Sequence, residues 1–110
     1  MSGQDLMQEL ESKFAMLDAA LGQLGKRGRT RAQAERDYRV ALAQKILIER
    51  DKGTPVTIIS DICRGYAEIA AKKFARDCAD TNYDAAKEAI NTYKLQIRIL
   101  ENQIDREWRG

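Results

Sequence analysis

Residues 66–108 read YAEIAAKKFARDCADTNYDAAKEAINTYKLQIRILENQIDREW, and this stretch decides the fold. It runs for 43 residues without Gly or Pro, so a continuous helix of roughly 65 Å is allowed at 1.5 Å per residue. In its second half Tyr83, Ala86, Ile90, Tyr93, Ile97, Leu100 and Ile104 follow one another at spacings of 3, 4, 3, 4, 3 and 4. That is an a/d seam, the pattern of a helix that buries a narrow stripe against a partner helix. In the first half Ala70, Phe74 and Cys78 run at steps of four. This predicts a stutter near Asp80 to Asn82, where Asp-Thr-Asn lowers helix propensity and a kink or a change of partner helix fits.

Moving toward the N-terminus, residues 53–65, GTPVTIISDICRG, hold the chain's one Pro, a β-branched run from Val56 to Ile59, and Arg64-Gly65. They predict an irregular turn with one short helical turn near 58–63. A second helix is expected at 31–52, with Ala34, Tyr38, Ala41, Leu42 and Ile46 at helical spacing. A first helix at 4–24, capped by Ser2 and Asp5, carries Met7, Leu10, Phe14, Leu17, Leu21 and Leu24 at spacings of 3, 4, 3, 4 and 3. Gly25 and Gly28 in GKRGRT should end it. Two short helices cover a helix of residues 66–108 only if they lie end to end along it or a second chain contributes. The expected fold is therefore all-α, a single helical domain over 1–110 built as an elongated helical hairpin or coiled-coil bundle with one long C-terminal helix. It is expected to assemble as a homo-oligomer.

The 110 residues are 44% hydrophobic and 33% charged, and 19 Lys and Arg against 17 Asp and Glu leave a net charge of +2. That balance favours neither a nucleic-acid coat nor a polyanionic mimic of DNA. The absence of His removes the Ser-His-Asp and Cys-His schemes and the commonest zinc ligand. Cys63 and Cys78, the only cysteines, form neither a disulfide framework nor a metal knuckle, and are expected to be reduced thiols in the cytosol. No P-loop, Gly-rich phosphate fingerprint or GxSxG elbow occurs. No apolar run long enough for a membrane span and no leader pattern is seen. Asp84 and Glu88 lie four apart on one helical face, yet no ExxH partner exists to complete a di-metal site. Neither a catalytic residue, a metal site nor a cofactor is assigned.

Two stretches could bind a partner. Residues 25–52 hold nine basic and four acidic residues, whereas 1–24 hold one and four. Lys26, Arg27, Arg29 and Arg31 make a candidate anion contact in the expected loop, since Arg pairs bidentately with phosphate. A merely solvated basic loop is the alternative, because no aromatic stacking platform lies nearby. The second stretch gathers Thr54, Thr57, Ser60, Asp61, Arg64 and Tyr66. These are hydroxyls, a carboxylate, a guanidinium and a ring in a short segment of the kind that carries binding. Here the alternative is that Pro55 and Gly65 turn the chain, Thr57 caps a short helix, and Val56, Ile58, Ile59 and Ile62 plug the end of a bundle. Tyr83 and Tyr93, at seam positions, read as packing.

From Ala34 to Trp108 the sequence resembles small proteins of unassigned role encoded by phages and prophages of Gram-positive bacteria. The most specific pieces are Gly53-Thr54-Pro55-Val56-Thr57, the stretch Asp61 to Gly65, and Arg106-Glu107-Trp108. The N-terminal seam lies outside the resemblance. It implies a small helical accessory protein acting in the host cytosol, and it supplies no catalytic residue. Such proteins commonly act on host machinery by binding. The leading expectation is therefore a non-enzymatic inhibitor of host defence, which sequesters an anionic nucleotide signal or blocks a defence effector. A helical factor of phage replication or recombination that contacts nucleic acid, and a purely structural coiled coil, are the alternatives.

Overall fold

The computed structural model describes residues 2–109, and every regular element among them is an α-helix: α1, Gly3–Asp51; α2, Val56–Gly65; and α3, Ala67–Arg109. The all-α expectation holds, and α3 falls within a residue of the long helix read from the sequence. The described residues form two compact units. One holds the chain up to Lys26 and from Tyr83 onward; the other is Arg27–Asn82.

In the first unit α1 starts as its sequence directs. The Asp5 amide donates to Ser2 Oγ at 3.1 Å and the Ser2 amide donates to Asp5 Oδ2 at 3.3 Å, a reciprocal cap that satisfies donors otherwise orphaned at a helix start. A Cβ placed on Gly3 would stand 3.7 Å from Glu107 Cγ, so α1 begins where α3 ends and the two segments run antiparallel. Counting one residue back along α3 for each step along α1 sets Leu6 level with Ile104, Leu10 with Leu100 and Leu17 with Tyr93. On α3 the seam matches the sequence: Ala86, Ile90, Ile97 and Leu100 are buried, while Tyr83, Tyr93 and Ile104 are half-buried.

On α1 the seam differs from the one expected. Leu6 is buried and Leu10, Lys13, Leu17, Ala20 and Leu24 are half-buried, whereas Met7, Phe14 and Leu21 remain 41%, 47% and 47% exposed. The apolar face of this helix is wider than one partner helix covers. Leu6, which the heptad reading omitted, brings in the row one residue earlier, and half of the expected seam stays outside.

The sequence predicts a break at residues 25–30, and none exists: α1 runs unbroken through Gly25 and Gly28. A helical Gly costs about 1 kcal/mol relative to Ala, which weakens a helix without stopping it. A glycine that stops a helix commonly does so through left-handed backbone, and among the described residues only Gly53 has it, at φ 85°. Side chains tie the helix down next to these glycines. Arg27 donates to the Asn82 carbonyl at 2.9 Å and Arg31 to Asp80 at 2.8 Å.

The end of α1 is a Schellman motif. The Gly53 amide donates to the Arg50 carbonyl at 3.0 Å and the Thr54 amide to the Glu49 carbonyl at 3.1 Å, with Gly53 supplying the positive φ that L-residues avoid. The irregular turn expected over 53–65 shrinks to the residues around Gly53 and Pro55, because 56–65 is helix α2. β-Branched residues cost a helix only a few tenths of a kcal/mol each, and burial of Ile59 and Cys63 outweighs that. Thr57 lies inside α2 rather than at its cap; Pro55 precedes the helix and no side chain caps it. The expected row Ala70, Phe74 and Cys78 is exposed, Phe74 to 70%. Inward-turned positions instead continue the C-terminal seam in steps of seven, through Ile69 and Arg76 to Tyr83, so the burial pattern needs no stutter. Arg76 hides this continuity from a hydrophobic pattern. Its guanidinium lies over the Tyr38 ring, 4.6 Å from the centroid, and pairs with Asp77 at 3.1 Å and Glu35 at 3.6 Å.

Candidate functional site

The polar cluster at the α1–α2 turn is organised by Glu49, a residue that the sequence reading passed over. Its carboxylate is buried, and a buried carboxylate is costly unless donors surround it. Thr54 Oγ1 donates to it at 2.8 Å, the Tyr66 hydroxyl donates to it, and Lys52 Nζ stands at 3.5 Å. The Tyr66 hydroxyl first, then Thr54, hold the Glu49 carboxyl below the ordinary glutamate range, while the same carboxylate pushes the Tyr66 hydroxyl up. Lys45 closes the cluster. Its ammonium lies 4.0 Å from the centroid of the Tyr66 ring and pairs with Glu68 at 2.6 Å. Each of these charges stabilises the other: Lys45 is raised by the Glu68 hydrogen bond and Glu68 is lowered by Lys45.

Of the residues singled out from sequence, Thr54 and Tyr66 are thus brought together, but on Glu49. Their hydroxyls serve the chain itself and bind the end of α1 to the α2–α3 junction. Thr57, Asp61 and Arg64 are exposed and Ser60 is half-buried. Their spacing of three and four puts them on one face of α2, opposite the side anchored by Ile59 and Cys63. Between these faces Ile58 and Ile62 are 45% and 38% exposed. Arg64, in the last turn of α2, also complements the negative end of the helix dipole.

The basic group is dispersed. Lys26, Arg27, Arg29 and Arg31 lie on a helix surface rather than in a flexible loop. Arg27 and Arg31 reach across to Asn82 and Asp80; Arg29 borders a shallow hollow of about 400 Å³ with Thr30, Gln33 and Asp37. Lys45 and Glu49 stand four apart in the sequence, an i,i+4 pair that could have drawn attention to this end of α1. Nothing in the sequence marked the approach of Tyr66 and Glu68, which depends on the turn geometry.

Cys63 is buried and Cys78 exposed, and both are free thiols. Among the described residues no group of three or more His, Cys, Asp or Glu side chains is placed to hold a metal ion, and no helix is long and apolar enough to cross a membrane. No family model matches the chain, and neither a curated protein nor a solved structure matches it.

Proposed function

We propose that this protein acts by binding and without a catalytic step, as a phage accessory protein of the host cytosol. In this reading it works as a homo-oligomer and blocks a protein effector of host defence through the outer face of α2. One observation carries the choice of surface: Ile58 and Ile62 are left open on a helix already anchored by Ile59 and Cys63, with exposed Asp61 between Ile58 and the part of the helix that carries Arg64. Apolar side chains rimmed by charges suit the centre of a protein contact. A protein effector is favoured over a nucleotide signal because Thr54 and Tyr66 are spent on Glu49 and Arg27 and Arg31 donate into α3.

The test compares Ile62→Asp and Arg64→Ala with wild type during infection of a host that carries an active defence. Both variants should lose the protective effect while circular dichroism and melting temperature stay close to wild type, since exposed side chains contribute little to stability. Full activity in both would place the contact elsewhere. Stabilisation of the protein by cyclic nucleotides, abolished in Arg64→Ala, would favour the anionic-ligand reading instead.

A further inference from the structure

We infer that the hollow between the start of α1 and the end of α3 binds a small organic cation with an apolar body, held by the Trp108 ring and the Glu107 carboxylate. The site lies wholly within the first unit and is independent of the α2 contact.

Gly3, Gln4, Met7, Glu107 and Trp108 line this hollow, whose volume is about 510 Å³. That lies in the range of pockets that take small molecules, roughly 300–1,000 Å³. Trp108 is 76% exposed and Met7 41%. An indole left this open has a ring face free for contact, and a cation over the face of a Trp is attracted by the ring quadrupole. The Met7 thioether adds a polarizable wall that packs well against apolar and aromatic groups. At Gly3 an added Cβ would already stand 3.7 Å from Glu107 Cγ, so a longer side chain there competes for the space a ligand needs.

Charge sets the class of ligand. Glu107 is exposed and has neither an ion pair nor a hydrogen bond from its side chain among the described residues. The cations nearest to it in the sequence are placed elsewhere. Arg109 pairs with Asp105 at 3.1 Å, and Arg106 lines a second hollow with Leu6 and Gln103, which Glu107 shares and Trp108 does not. The positive end of the α1 dipole would favour an anion here, but Asp5 in the first turn opposes it, its carboxylate accepting from the Ser2 amide. Among the described residues no basic side chain lines the Trp108 hollow. An anion would therefore meet a carboxylate without a counter-charge, and a neutral ligand would gain only the ring and the thioether. A cation gains all three.

Titration of the full chain with benzyltrimethylammonium chloride tests this, with benzyl alcohol as the uncharged control and sodium chloride as the salt control. Trp108 is the chain's only Trp, so its fluorescence reports from the hollow itself, and ligand-observed NMR follows the variant that lacks it. The cation should bind saturably with a dissociation constant of about a millimolar, and benzyl alcohol at least about tenfold more weakly. Glu107→Gln should weaken the cation about fivefold, most clearly at low salt, and Trp108→Leu about tenfold. Gly3→Leu should abolish binding with Glu107 and Trp108 both in place. Helicity should stay at the wild-type level in all three, since the altered positions lie outside the buried core. Absence of saturable binding to wild type would overturn the site. Benzyl alcohol binding as tightly as the cation would overturn the cation as its ligand, and binding that ignores all three variants would overturn this hollow as the place. An Arg- or Lys-containing peptide that binds at Trp108 about a hundredfold more tightly would overturn the small molecule as occupant in favour of a partner's cationic side chain.

Discussion

Glu49 shows how one side chain can govern a turn. A buried carboxylate held by Tyr66 and Thr54 has its charge favoured by the fold, so protonation must weaken what the hydroxyls hold together. The folded-state value is depressed, so the stabilisation is complete above the ordinary glutamate value of about 4.3 and is lost as the pH falls through the lower folded value. Melting temperature measured against pH should therefore drop on the acid side, and Glu49→Gln should flatten that limb while lowering the plateau. Tyr66→Phe keeps the ring beneath Lys45 but removes the strongest donor to Glu49, so the acid limb should move to higher pH. A limb that stays in place in Tyr66→Phe would show that the Glu49 carboxyl is not held by that hydroxyl. On the alkaline side the raised Tyr66 hydroxyl gives the opposite sign: its contribution is present below about 10 and is lost as the pH rises through the folded value.

Among the elements, the decisive contrast lies between glycines that stop a helix and glycines that do not. Gly53 takes φ 85° at the Schellman turn, whereas Gly65 is the last residue of α2; neither would place an added Cβ against a neighbour. Gly53→Ala should thus lower stability by about 1 kcal/mol through backbone strain alone, and Gly65→Ala should raise it by up to about 0.5 kcal/mol by restricting the unfolded chain. Chemical denaturation of both variants checks the pair, and equal signs would contradict it. The same contrast sets how much of the fold was legible in the sequence. The seam from Tyr83 to Ile104 could be read because each position is apolar or small. Its continuation through Arg76 could not, since a guanidinium stacked on Tyr38 looks polar to any hydrophobic count. Gly53 differs from Gly25 and Gly28 in the sequence through the Pro55 that follows it; residue type alone does not make the stop, and the backbone angle does. Of the candidate site, Thr54 and Tyr66 were found as residues. Their shared partner Glu49 was missed because a loop brings them together, not a helical spacing.

At the scale of the whole molecule, two helices pass through both compact units while the buried side chains divide between them. The first unit rests on Leu6, Ala86, Ile90, Ile97 and Leu100, and the second on Tyr38, Glu49, Ile59, Cys63, Ile69 and Ala79. Stability is therefore expected to be uneven along α1 and α3 despite their continuous hydrogen-bond ladders, since local opening follows buried contacts more than helix length. Ile97→Ala removes a buried side chain from the first unit at a cost of about 2–4 kcal/mol. In native-state hydrogen exchange this variant should lose protection first at 3–26 and 83–109, with amides of 34–49 and 59–79 retaining more of theirs. Ile59→Ala should do the reverse. Should each substitution lower protection equally across all described helices, the two units unfold together, and helix continuity through residues 26–27 and 82–83 would outweigh the separation of their cores.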